Sequence, residues 1–228
     1  MKKVPYHLGI IVDGNRRWAR EKGLPTIEGH RRGLDNVKKI GKWCKQKGVK
    51  ILTLFAFSTE NWKRPKAEVN YLMSLLKLAL SGKNLQEINK DNIQVKIIGQ
   101  REKLSPQLQK AIEKAEELTQ HNKSGVLNIA LSYGGRTEIV EAIKKCFQKN
   151  PLSKITERLI NQNLWTAGEP DPDLIIRTGG EQRMSNFLLW QAAYSELYFS
   201  KKYWPEFTEK DLDDALSDYA RRQRRFGE

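Results

Sequence analysis

Leu8-Gly9-Ile10-Ile11-Val12-Asp13-Gly14-Asn15-Arg16-Arg17-Trp18 is the stretch from which the fold can be read. A nearly continuous apolar run stops at a carboxylate and passes at once into glycine, asparagine and two arginines. A short apolar run of this kind is a strand covered on both faces, as in a parallel sheet. Gly14 allows a tight turn and close backbone approach to a ligand. Asn15 can cap a following helix, whose free N–H groups attract anions. Arg16 and Arg17 add guanidinium groups that grip phosphate oxygens. Asp13 is the odd member, a carboxylate where anions would bind, and a divalent cation between it and a phosphate removes the repulsion. Taken alone, the same residues equally fit an ordinary capped strand–helix turn.

Further short apolar runs follow at Ile51–Phe57, Ile93–Ile98, Leu127–Leu131, Leu174–Arg177 and Leu197–Phe199. Helical patterns lie between them. Glu28 to Lys47 is one. Lys66 to Asn89 is a second, with Val69, Leu72, Met73, Leu76 and Leu80 at helical spacing. Ser105-Pro106 opens a third, with serine as N-cap and proline at the first helical position. Thr137 to Lys149, Thr156 to Leu164 and Thr208 to Arg225 complete the set. Strands alternating with helices predict an α/β fold with a central, mostly parallel six-stranded sheet flanked by helices. No linker, repeat or low-complexity tract divides the chain, so residues 1–228 read as one domain.

In such sheets ligands bind beyond the carboxyl ends of the strands, and the unusual polar residues gather there. The second strand runs into Ser58-Thr59-Glu60-Asn61-Trp62-Lys63-Arg64-Pro65. The fifth runs into Arg177-Thr178-Gly179-Gly180-Glu181-Gln182-Arg183-Met184-Ser185-Asn186, where two arginines and a serine flank a glycine pair, the make-up of a second phosphate site. Ser132-Tyr133-Gly134-Gly135-Arg136 follows the fourth strand and fits a glycine turn with a surface arginine equally well. His30 stands about one helix after the first turn and can reach the same site. His7 and His121 read as structural or exposed.

Composition narrows the classes. The chain has 228 residues, 39% hydrophobic, with a formal charge of +14. That charge favours an anionic partner: nucleic acid, a membrane surface or a phosphorylated small molecule. The cluster Lys38, Lys39, Lys42, Lys45 and Lys47 reads as a solvated helix face. Cys44 and Cys146 make no disulfide framework and have no CxxC spacing, which fits a reducing, cytoplasmic setting. Met1-Lys2-Lys3 resembles the basic end of a signal peptide, but the apolar run behind it is too short. No stretch spans a bilayer, so a membrane role would be peripheral. Dinucleotide and Walker-type glycine motifs, zinc-site spacings and the G-x-S-x-G elbow are absent.

Taken in order, the polar blocks resemble the cis-prenyltransferases, in particular the bacterial undecaprenyl diphosphate synthase type. The resemblance covers nearly the whole chain. It rests on Asp13-Gly14-Asn15-x-Arg17-Trp18-Ala19, Gly29-His30, Ala56-Phe57-Ser58-x-Glu60-Asn61-Trp62-x-Arg64-Pro65 and Asn128-Ile129-Ala130. It continues through Tyr133-Gly134-Gly135-Arg136, Asp173-Leu174-x-Ile176-Arg177-Thr178-Gly179-Gly180-Glu181 and Ser185-Asn186-Phe187-Leu188-Leu189-Trp190-Gln191. Ser195-Glu196-Leu197-Tyr198-Phe199, Trp204-Pro205 and Arg224-Arg225-Phe226-Gly227 complete it. Like that family, the chain lacks the D-D-x-x-D motif of the all-helical trans-prenyltransferases.

The resemblance implies a Mg²⁺-dependent, sequential condensation of isopentenyl diphosphate onto an allylic diphosphate such as farnesyl diphosphate. The implied product is a long cis-polyprenyl diphosphate, precursor of a cell-wall or glycosylation lipid carrier; a short- or medium-chain product is the alternative. Asp13 and Glu196 are then the Mg²⁺ ligands, and Asp13 and Asn61 the catalytic residues, Asn61 in the proton-removal step. Gly14, Asn15, Arg16, Arg17, Trp18 and His30 hold the allylic diphosphate. Arg177, Arg183, Met184 and Ser185 hold that of isopentenyl diphosphate. Ser58, Thr59, Glu60, Asn61, Trp62 and Arg64 form a mobile loop linking the two. The helix from Val69 to Leu80, with small Ala56 and Gly125, is the expected wall of an apolar product tunnel. A homodimer is implied, with Arg225-x-Gly227 reaching the partner's site, and with peripheral contact at the inner membrane face for product release.

Three positions depart from the family's usual residues: Arg16 for glycine, Gln182 for histidine and Thr26 for arginine. Arg16 or Arg31 is the expected substitute for the missing Thr26 contact. An accessory, non-catalytic subunit would have lost the first motif, which is present here. A nucleic-acid binder would need basic and aromatic residues on an open face. The arginines here stand at strand ends beside carboxylates, so nucleic acid is not the expected partner.

Overall fold

The structure, a computed structural model, describes residues 4–149 and 155–222. Six strands form one sheet: β1 (His7–Ile11), β2 (Ile51–Ser58), β3 (Ile93–Ile98), β4 (Gly125–Tyr133), β5 (Leu174–Arg177) and β6 (Glu196–Phe199). Their spatial order is β3-β4-β2-β1-β5-β6. Every pairing is parallel, so the expected mostly parallel sheet is wholly so. β1 and β5 are buried along their whole length, the reason both read as continuous apolar runs.

Helices α1 (Asn15–Glu21) and α2 (Thr26–Lys47) connect β1 to β2. Next come α3 (Lys66–Ala79), α4 (Gly82–Lys90), α5 (Pro106–Thr119), α6 (Gly135–Lys149), α7 (Glu157–Asn161) and α8 (Glu209–Arg221). Alternate strand residues feed separate cores. Leu8, Ile10, Leu52, Leu54, Leu174 and Ile176 pack with Ile40 of α2 and with Trp204, Phe207, Leu212 and Leu216. Val95, Ile97, Ile129 and Leu131 pack with the apolar stripes of α3, α4 and α5. Ile11, Phe55, Ala130 and Ile175 pack with Tyr133, Phe187 and Leu188.

The helix expected over Lys66–Asn89 is in fact two. Ser81 is extended at φ −142°, and Gly82 takes φ 55°. The carbonyls this break frees are satisfied locally: Ser81 Oγ donates to Lys77 O at 2.8 Å and Asn84 Nδ2 to Leu78 O at 2.9 Å. Ser105 caps α5 as its sequence predicts, accepting from the Leu108 N–H. α2 begins two residues earlier than its pattern suggests, behind Pro25. The described part of the last helix ends at Arg221; the Arg224–Gly227 block lies outside the described residues. No described helix is long and apolar enough to cross a membrane.

Candidate active site

The connection from β1 leads to β2 on one side, and that from β5 leads to β6 on the other. The crevice between the carboxyl ends of β1 and β5 is therefore the topological switch point, where such sheets bind ligands. Asp13 and Arg177 meet there. The Asp13 N–H donates to Thr178 Oγ1 at 3.0 Å, the Thr178 hydroxyl donates to Asp13 O at 2.7 Å, and the Trp204 N–H donates to the same carbonyl at 3.0 Å. With its backbone pinned, Asp13 presents Oδ2 to Arg177 Nη2 at 2.8 Å and Arg17 Nη2 at 3.2 Å. Arg17 continues to Glu181 Oε1 at 3.1 Å and lies 5.4 Å from the centre of the Tyr203 ring.

Gly14, not Asn15, caps α1. It takes φ 105°, and a Cβ there would fall 2.5 Å from Tyr203 Cδ1, so only glycine fits. Asn15 is instead the first helical residue. Its buried Oδ1 has no hydrogen-bond partner among the described residues. α1 has only seven residues, so the arginines rather than its dipole dominate the local field.

A cleft of about 830 Å³ opens at this point. It gathers Asp13, Gly14, Asn15, Arg16, Arg17, His30, Ser58, Glu60, Asn61, Arg64, Arg177, Met184 and Ser185 from the residues the sequence singles out. Arg20 and Arg136 add to its positive wall; Ile11, Phe55, Ala56, Leu72 and Leu189 supply an apolar side. Six arginines face two carboxylates, Asp13 and Glu60, a field suited to several phosphate charges at once.

Five of the expected site residues do not line this cleft. Trp62 turns inward: its indole N–H donates to Ser132 Oγ at 2.9 Å and its ring packs edge-on against Phe57. It anchors the loop to β4 and β2. Trp18 is half-buried on α1, its Nε1 without a partner among the described residues. Thr59 sits against Gly134. Arg183 is exposed and paired with Glu181. Glu196 opens β6, at the amino ends of the strands and so at the far end of the sheet from Asp13, where it pairs with Arg222 at 2.8 Å. One chain does not bring Glu196 to Asp13.

Arg177 lines the cleft and is also held within the chain. It is 4% exposed. Nη1 donates to Ser185 Oγ at 2.7 Å and to the Arg183 carbonyl, and Nη2 to Asp13. It braces Asp13 against the 183–185 segment. The Ser58–Arg64 loop is a 3₁₀ turn closed by a capping box: the Ser58 N–H donates to Asn61 Oδ1 at 3.1 Å, and Ser58 Oγ accepts the Asn61 N–H. Of the three departures, Arg16 lies in the cleft, Thr26 opens α2 and Gln182 is exposed. Arg31 is held by Glu28 at 2.6 Å and does not line the cleft, whereas Arg16 does.

Sequence reasoning missed Glu68. Its Oε1 lies 3.1 Å from His30 Nε2, 3.1 Å from Arg64 Nη1 and 3.7 Å from Arg16 Nε, tying α1, α2, α3 and the loop to one oxygen. Burial holds the His30 pKa below its ordinary value although Glu68 pulls it up, and burial likewise lowers that of Arg64. The Arg64–Glu68 spacing of i,i+4 at a helix start was the available signal.

No group of three or more His, Cys, Asp or Glu side chains that could hold a metal occurs among the described residues. Asp13 alone still fits magnesium, which commonly takes one or two carboxylates and completes its shell with substrate phosphates and water.

These features define a class: a parallel α/β protein with a strongly cationic cleft at its switch point, built for phosphorylated ligands. Comparison with known proteins gives the family. Residues 11–227 match the family described as "Putative undecaprenyl diphosphate synthase". The isoprenyl transferase of Chromobacterium violaceum is 49% identical over 226 residues, covering 99% of this chain and 89% of that one. The Legionella pneumophila ditrans,polycis-undecaprenyl-diphosphate synthase ((2E,6E)-farnesyl-diphosphate specific) is 48% identical over 231 residues, covering 99% and 97%. Among solved structures, lavandulyl diphosphate synthase of Lavandula x intermedia, in complex with dimethylallyl diphosphate, superposes with a TM-score of 0.95 at 42% identity, covering 99% of each chain. A probable undecaprenyl diphosphate synthase of Campylobacter jejuni gives 0.83 at 34% identity and full coverage of both. The chain belongs to the undecaprenyl diphosphate synthase family and is a prenyl transferase.

Proposed function

We propose that this chain extends an allylic diphosphate, farnesyl diphosphate in particular, by repeated cis addition of isopentenyl diphosphate, giving a long polyprenyl diphosphate. The observation that carries this reading is the pairing of two arginine-bearing segments across Asp13: Arg17 on one side, Arg177 with Ser185 on the other. Two diphosphates side by side would place an allylic C1 next to an isopentenyl double bond, and proximity of this kind removes much of the entropic barrier.

Arg16, Arg17 and Arg64 hold the allylic diphosphate and balance its charge as the C1–O bond breaks. The isopentenyl double bond attacks C1, and a C2 proton leaves to form the new double bond. Asn61 is a neutral amide whose Oδ1 already accepts the Ser58 N–H. It therefore shapes the loop, and the proton passes through Ser58 or to an oxygen of the released diphosphate. Asp13, together with substrate phosphates, would hold magnesium, which would supply further neutralisation of the departing group. Glu196 and Arg225-x-Gly227 contribute through a second copy in a homodimer, since Glu196 stands away from Asp13 within one chain.

The product's apolar tail leaves the cleft along β2, past Ala56 and Leu72, towards an apolar space of about 130 Å³ bounded by Leu52, Leu80, Ile88, Gly125 and Leu127. The undecaprenyl diphosphate synthases among its relatives, rather than the size of this space, support a long product over a short one. The setting is cytoplasmic, with peripheral membrane contact for release. Incubation with farnesyl diphosphate, labelled isopentenyl diphosphate and Mg²⁺, followed by sizing of the products, tests the reading. Long labelled products that vanish with EDTA are expected; no chain extension would refute it.

A further inference from the structure

Asn186 carries polar contacts in three directions although no part of the mechanism above uses it. It sits in the left-handed region at φ 67°, between Ser185 at φ 49° and the buried Phe187. Its carbonyl accepts the Gly135 N–H at 2.7 Å, and its Oδ1 accepts the Arg136 N–H at 2.9 Å. A backbone N–H can only donate, so the amide orientation is fixed and Nδ2 must face the other way. There it donates to Glu60 Oε1 at 3.1 Å. Burial pushes the Glu60 pKa up, but hydrogen bonds from its own N–H, Asn186, Ser58 and Thr59 outweigh this and hold it below its ordinary value. The contact is close-packed: a Cβ on Gly134 would fall 2.7 Å from Asn186 Nδ2 and 2.8 Å from Thr59 Oγ1.

The two joined segments are the two halves of the site. Glu60 belongs to the turn that carries Ser58, Asn61 and Arg64; Asn186 directly follows Ser185, which Arg177 grips. We infer that Asn186 is a positioning residue: its side-chain amide latches the Thr59–Lys63 turn onto the 183–186 segment, so that each half of the cleft is set by the other. This inference rests on the two-diphosphate reading for its consequence in turnover, but the latch itself is made of hydrogen bonds within the chain. A charge-assisted bond of this type is stronger than a neutral one, and both partners come from loops, which otherwise open readily.

A polarity swap tests it. Asn186→Asp keeps the volume, tolerates positive φ and still accepts the Arg136 N–H, but sets a carboxylate against Glu60. Glu60→Gln retains an acceptor for Asn186. In the combined variant the carboxylate at position 186 accepts from the amide at position 60, and the bond returns with its direction reversed. Amide hydrogen exchange at Asn61 and Arg64, whose N–H groups close the turn, is read without substrate. Exchange about tenfold faster in Asn186→Asp, returning to within about threefold of wild type in the combined variant, is expected from loss and recovery of such a bond. In turnover, Asn186→Asp should raise KM for isopentenyl diphosphate and lower kcat with the melting temperature unchanged; recovery by the swap is read in exchange alone, because Glu60 itself lines the cleft. Unchanged exchange in Asn186→Asp, or effects that simply multiply in the combined variant, would overturn the latch. Coupled exchange in a wild-type protein that transfers no prenyl groups would sink the two-diphosphate reading and leave the latch standing.

Discussion

Asp13 is the residue on which the cleft is centred. Its carboxylate carries Arg177 and Arg17 on one oxygen, and Thr178 and Trp204 fix its backbone. Asp13→Asn keeps the shape and removes the charge. A loss of about 10²-fold or more in kcat is expected, the scale of removing one preorganised electrostatic group. Circular dichroism and the thermal transition should stay close to wild type, since the backbone bonds remain. Asp13, Arg17 and Arg177 could be placed at strand ends from the sequence because several polar blocks directly follow apolar runs, although the first block alone fits an ordinary turn equally well. The packing of Trp62 was not legible. An aromatic in a polar loop reads as a ligand contact, and only the fold shows its indole turned to Ser132. Glu68 and Asn186 were not singled out, because each acts on residues distant in the chain.

Among the elements, all six strands were readable from short apolar runs; in β1, β2 and β5 burial on both faces leaves little room for polar residues, whereas β3 and β6 are only partly buried. Helix boundaries were less legible. The α3–α4 break turns on Ser81-Gly82 and on carbonyls satisfied by Ser81 and Asn84, which an apolar stripe running through both helices conceals. The cap of α1 was assigned to Asn15 because asparagine is a common N-cap; crowding by Tyr203 gives the position before it to glycine. β2 and α3 together bound the proposed tail path, with Ala56 and Leu72 at its mouth. Ala56→Phe should therefore shorten the polyprenyl product while the first condensation persists. Chromatographic sizing of the products checks this, and an unchanged length distribution would place the tail elsewhere.

The whole molecule joins its cores through buried polar groups. His7 is 1% exposed, with Nδ1 2.7 Å from the Pro170 carbonyl and Nε2 2.7 Å from Thr53 Oγ1. A carbonyl can only accept, so Nδ1–H donates to Pro170; with its pKa held below 6.5 the ring is neutral at pH 7, and Nε2 then accepts from Thr53. Burial lowers its pKa from the ordinary 6.5, and that of His30 in the same sense. A depressed folded-state pKa means that the unfolded chain takes up the proton first. The stability these groups contribute is present above about pH 6.5 and is lost as pH falls through their folded values. The urea midpoint should thus drop between pH 7.5 and 5.5, and more shallowly in His7→Gln. At this scale the central claim is that one chain holds two diphosphates at the β1–β5 switch point. Calorimetric titration of isopentenyl diphosphate into protein saturated with an unreactive farnesyl thiolodiphosphate and Mg²⁺ measures it directly. One isopentenyl diphosphate per chain, bound alongside the analogue and weakened in Asp13→Asn, is the expected result; mutually exclusive binding of the two ligands would contradict it.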